Sequence, residues 1–94
     1  PNQVKLVPYG YTNEGRELMV VYVSSVDNMA NLDNIRQEHL KATKGEGNAQ
    51  KAIVWLSYNV HGNESVSTEA SMQTIYELLT QKQSWLENTV VIID

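Results

Sequence analysis

No cysteine occurs in these 94 residues. That excludes a disulfide framework and any thiolate metal site, so a bound metal would have to be held by nitrogen and oxygen. Basic residues are also scarce. Seven Lys and Arg stand against eleven Asp and Glu, for a net charge of −4, and the basic stripe a nucleic-acid partner would need is missing. No apolar run reaches membrane-spanning length, no low-complexity tract interrupts the chain, and no stretch within it reads as a secretory signal. Neither a nucleic acid nor a membrane is expected as a partner. There are only two prolines; Pro8, directly after the apolar run Val4–Val7, suits an edge strand or a strand end.

What is present is ordinary globular composition, 41% hydrophobic. A chain of this length makes at most one small domain, able to bury about 60–65% of its unfolded surface. It opens on Pro1 and stops at Asp94 directly after the apolar Val90–Ile93. The span 1–94 therefore reads as a single, incomplete domain, part of a larger protein.

Thr12-Asn13-Glu14-Gly15 carries turn chemistry, with Gly15 able to take a positive φ. Leu18–Val23, rich in β-branched residues, reads as a strand, so a hairpin joins it to Val4–Val7. Arg16 is read as a structural residue of that hairpin. After a polar break at Ser24–Asn28, Met29, Leu32, Ile35 (or Arg36) and Leu40 give a loose helical stripe, with Asn28 or Asn31 as caps and Asp33 in the first turn. Lys41–Lys51 reads as a surface loop. Ala52–Val60 is expected to be a central strand covered on both faces. Met72, Ile75, Tyr76 and Leu79 recur as one face of a helix over about 65–81, capped by Ser65 or Ser67. Trp85 and Leu86 are expected to cover the end of that helix, and Thr89–Ile93 to form a second buried strand. Strand, helix, strand is a right-handed crossover unit with parallel strands. The fold class is α/β: a mixed β-sheet, hairpin at one side and parallel strands at the other, with flanking helices.

His61-Gly62-Asn63-Glu64 lies between the 52–60 strand and the helix. An imidazole and a carboxylate three residues apart, where a strand ends, can turn toward one point. Both are good Zn2+ ligands, and open α/β sheets bind ligands beyond the C-terminal ends of their strands. His61 and Glu64 are the candidate metal ligands. His39, the other histidine, falls on a polar helix end and is not assigned to the site. Glu69 reads as a charge favouring the helix N-terminus, Trp55 and Tyr58 as core or sheet-face residues. Asn59 and Asn63 receive no catalytic role.

The run Ala52-Ile-Val-Trp-Leu-Ser-Tyr-Asn-Val-His-Gly-Asn-Glu64, continuing through Ser65-Val-Ser-Thr-Glu-Ala70, resembles the zinc-ligand segment of zinc metallocarboxypeptidases, the carboxypeptidase A-like family. Tyr9-Gly-Tyr-Thr-Asn-Glu-Gly-Arg-Glu-Leu18 is similar to the family's S-x-E-G-R-x-L hairpin, with Thr12 at its usual serine. Asn88–Asp94 resembles the strand leading into the family's Asn-Pro-Asp-Gly segment. These matches fall in family order and cover nearly the whole chain. The resemblance implies the truncated N-terminal portion of a carboxypeptidase-like α/β/α domain, with Zn2+ as cofactor and peptide or protein C-termini as substrate. It places the second zinc histidine, the carboxylate-clamping arginines, a tyrosine and the general-base glutamate after Asp94. The 94 residues alone are then expected to be inactive. Export, periplasmic or extracellular, follows from the same likeness.

Two other readings stand beside it. The aspartoacylase and succinylglutamate desuccinylase branch also uses HGNE and cleaves N-acyl amino acids; the EGR hairpin and the Ser-Thr-Glu-Ala run favour the peptidase branch. A non-catalytic relative would use the same surface as a binding module. Self-association of the piece through a sheet edge or bare face near Val90–Ile93 is also expected.

Overall fold

The computed structural model describes residues 2–58 and 66–94. Their elements run β1 (Val4–Tyr11), β2 (Glu17–Val23), α1 (Val26–Ala30), α2 (Leu32–Thr43), β3 (Ala52–Leu56), α3 (Val66–Thr80), α4 (Gln83–Leu86) and β4 (Thr89–Ile93). The four strands form one mixed sheet in the order β1-β2-β4-β3. β1 and β2 are an antiparallel hairpin, β2 pairs antiparallel with β4, and β3 pairs parallel with β4. The α/β class, the hairpin and the parallel pair are as expected from the sequence.

Strand alternation assigns the two sheet faces. Val21 stands opposite Ile93 and Val23 opposite Val91, while Val54 pairs with Val91 and Leu56 with Ile93. These side chains share one face, where Val23, Val91 and Ile93 pack with Leu78 of α3 and Leu86 of α4. Ile75, Leu79 and Tyr58 border that core. The other face carries Tyr22, Ile53, Val90 and Ile92, which line one cavity with Leu32 and Ile35 of α2. Each fully buried aliphatic side chain here contributes about 1.5–3 kcal/mol through removal from water.

The hairpin turn is built as its residues suggest. Thr12 N donates to Arg16 O at 2.8 Å, Gly15 N to Thr12 O at 2.9 Å and Arg16 N to Thr12 Oγ1 at 3.1 Å. Gly15 has φ 82°, a conformation glycine adopts without a Cβ penalty. The Arg16 guanidinium is exposed and lies 3.8 Å from Glu14. A pair so hydrated adds little stability, so the hairpin is held by Thr12 and Gly15 rather than by Arg16.

Three expectations are corrected. First, β3 ends at Leu56 and is an outer strand among the described ones. Ile53, Val54 and Trp55 are all exposed, Trp55 at 56%. The apolar run that suggested a strand covered on both faces is largely exposed, with Leu56 alone of the β3 residues half-buried against the core. Second, β4 is buried as expected, at Val90, Val91 and Ile93, but it is enclosed between β2 and β3 and offers no open edge. Among the described strands the outer edges are therefore those of β1 and of β3 at 52–56, and not Val90–Ile93. Third, α3 is rotated from its expected face. Met72 and Tyr76 are exposed at 64% and 60%, and Leu78 is buried. The helix turns Ser67, Ser71, Thr74, Ile75, Leu78 and Leu79 inward, because small hydroxyl side chains fit where a Met or Tyr was anticipated.

The polar break at Ser24–Asn28 also folds inward. Ser24 and Asn28 are both buried. Ser24 Oγ lies within donating distance of the carbonyls of Thr89 at 2.6 Å and Leu86 at 3.0 Å. Asn28 Nδ2 is 3.0 Å from Ser24 Oγ, 2.9 Å from Leu86 O and 3.0 Å from Glu87 O. Ser25 caps α1 by accepting from Asn28 N, while Asn31, one of the two expected caps, holds the N-cap position of α2 without a side-chain cap bond. α2 continues to Thr43, so the surface loop is shorter than expected.

Candidate metal centre

The candidate ligands His61 and Glu64 lie outside the described residues, as do Asn59 and Asn63. What the structure describes are the two flanks of their segment. Upstream, the ladder runs on past β3: Asp94 N donates to Leu56 O at 3.0 Å, and Tyr58 N donates to Asp94 O at 2.9 Å. Downstream, α3 is underway at Val66. HGNE thus belongs to the connection between the C-terminal end of a parallel strand and the following helix, where α/β sheets carry their ligand sites.

Both flanks are tied together by side chains. Thr74 Oγ1 donates to Ala70 O at 2.9 Å and lies 2.9 Å from Tyr58 Oη. A threonine hydroxyl has one proton, so Tyr58 is the donor of the second bond. Tyr58 is accordingly a strap from β3's exit to α3, at the border of the core. Glu69, in the first turn of α3, is exposed and favourably placed toward the helix dipole. Trp55, by contrast, is an exposed sheet-face residue of β3, the second of the two expected places.

His39 is brought to the opposite end of β3. Its Nε2 lies at hydrogen-bond distance from Lys51 O, which can only accept, so Nε2 carries the proton. Lys51 immediately precedes β3, and the seven residues from there to Tyr58 span on the order of 20 Å in extended chain. His39 is anchored away from the connection that holds His61.

The EGR hairpin, in contrast, stands on the same side. β1 and β4 both run antiparallel to β2, so the end of β1 points the same way as the ends of β3 and β4. Only Val21–Val23 of β2 pair with β4. The hairpin therefore overhangs the sheet by about 13 Å, four residues of strand from Val21 to Glu17. Tyr9, on this overhang, donates from its hydroxyl to Asp94 Oδ1 at 3.0 Å. That bond to a carboxylate, with smaller contributions from partial burial and the negative charge of Asp94, raises the Tyr9 pKa above the ordinary 10.0. Neither Tyr9 nor Asp94 was singled out by sequence reasoning. A β-bulge, treated below, carries the signal, and bulges leave no residue signature as plain as Asn-Gly.

Among the described residues no three His, Cys, Asp or Glu side chains converge as a metal site. The donor chemistry of the HGNE pair, one imidazole and one carboxylate in a chain without thiols, fits zinc. The chain matches the family model described as zinc carboxypeptidase over residues 1–93. No curated protein and no solved structure gave a significant match.

Proposed function

The chain belongs to the zinc carboxypeptidase family, and from that premise we propose that it contributes the HxxE half of the metal site of a metallocarboxypeptidase acting on peptide C-termini. The observation that carries this reading is positional. In sequence, the only His and Glu in HxxE spacing follow the C-terminal end of β3, in a chain that matches the family model over residues 1–93. The overhanging EGR hairpin on that same side favours the peptidase over the deacylase reading.

His61 and Glu64 would hold the ion. When bound, zinc polarises a scissile carbonyl and acidifies a water molecule. The chain's own contribution would be to supply an imidazole and a carboxylate, three residues apart in sequence, after the end of β3. A catalytic zinc needs three protein ligands, and His39 is engaged at the far end of β3. The 94 residues by themselves are thus inactive.

Zinc binding tests the assignment. Glu64→Ala in the longer protein should remove most bound zinc and most activity, read by metal analysis after dialysis alongside peptide hydrolysis. Full zinc occupancy in that variant would overturn Glu64 as a ligand. Chelator-sensitive turnover of an N-blocked dipeptide by the 94-residue chain would overturn the half-site reading.

A further inference from the structure

The register between β1 and β2 shifts once. Pro8 stands opposite Met19 and Gly10 opposite Leu18, which leaves Tyr9 as an extra residue without a partner. Such a bulge bends its strand and re-aims a side chain. Here the re-aimed phenol reaches past β2 to Asp94 Oδ1, although β1 and β4 are not neighbours in the sheet. Asp94 in turn grips the exit of β3 through its main chain, donating to Leu56 O and accepting from Tyr58 N. Tyr58 then passes the connection to Thr74 of α3. A continuous series of bonds runs from the overhanging hairpin, across the end of the sheet, to the helix that follows HGNE.

We propose that Tyr9 and Asp94 are positioning residues: together they clasp the hairpin overhang to the exit of β3 at Tyr58, and so set the point from which the HGNE connection departs. The functional part of this inference rests on reading that connection as half of a zinc site; the clasp itself does not. An isolated Tyr–Asp contact on a surface would hold only its own two side chains. This one is coupled to the main-chain bonds that define where the parallel ladder ends.

Hydrogen exchange followed residue by residue separates the two cases. Wild-type chain, Tyr9→Phe, Asp94→Ala, Asp94→Asn and the double variant Tyr9→Phe/Asp94→Ala are compared, with zinc affinity of each measured by chelator competition. Loss of one hydrogen bond should speed exchange at the Tyr58 amide by about fivefold in Tyr9→Phe and in Asp94→Ala, with exchange at Val91 unchanged. The double variant should be no worse than either single one, and Asp94→Asn, which keeps an accepting oxygen, should stay near wild type. Zinc affinity should fall severalfold in the same order. Unchanged Tyr58 exchange, or an equal rise at Val91, would overturn the clasp. Altered Tyr58 exchange with unaltered zinc affinity would overturn the positioning role. Should the wild-type chain take up no zinc at all, the positioning role is overturned for these 94 residues, while the exchange data still decide the clasp.

Discussion

Asn28 gathers three acceptors with one side-chain amide: Ser24 Oγ, Leu86 O and Glu87 O. With Ser24 it joins the β2–α1 junction to the α4–β4 turn, more than fifty residues away in sequence. Buried carbonyls deprived of a donor carry their desolvation cost unrelieved. Asn28→Ala should therefore destabilise the chain by about 1–3 kcal/mol, visible as a lower urea midpoint at unchanged slope. Asn31→Ala, at an exposed position on the next turn, should cost far less. In sequence Ser24–Asn28 reads only as a polar break between two apolar segments. Composition does not reveal that the α4–β4 turn would arrive with unpaired carbonyls for them to satisfy.

At the scale of elements, the strands and helices most legible in the chain were those with punctuation. Thr12–Gly15 announced the hairpin by turn chemistry, and β-branched runs announced β2 and β4. Orientation was harder to read. Around α3, Met72, Ile75, Tyr76, Leu78 and Leu79 spread over much of the circumference, so more than one apolar stripe fits a helical period. The observed face is chosen by what Tyr58, Leu86 and Ile93 offer opposite it, which is tertiary information. Leu78→Ala should accordingly cost about 2–5 kcal/mol, as for a buried leucine, whereas Met72→Ala should fall within about 0.5 kcal/mol of wild type. Chemical denaturation of the pair decides the helix's rotation. A larger loss at Met72 would restore the stripe expected from periodicity. The location of HGNE between β3 and α3 was readable, since motif and elements follow one another in the chain. The clasp beside it was not, because it depends on one residue of register slip in β1.

For the whole molecule, the order β1-β2-β4-β3 leaves β3 with one unpaired edge among the described strands, flanked by exposed Ile53, Val54 and Trp55. Trp85, also exposed, adds apolar surface beside Val54, with Lys82 Nζ 4.8 Å from its ring centre. An apolar strand edge of this kind is a template for pairing, so the 94-residue chain should self-associate through β3 as concentration rises. Light scattering across a dilution series checks this, and Val54→Lys, an edge charge, should return the chain to monomer. A wild-type monomer at high micromolar concentration would contradict it. The same strand order has a temporal side. β1, β2 and β3 all leave the ribosome before β4, yet β4 is the strand that lies between the hairpin and β3. Until residue 93 has been made, the nascent chain holds a hairpin and a lone strand with no shared ladder. The exit of β3, from which HGNE departs, has a paired neighbour only once β4 has been made.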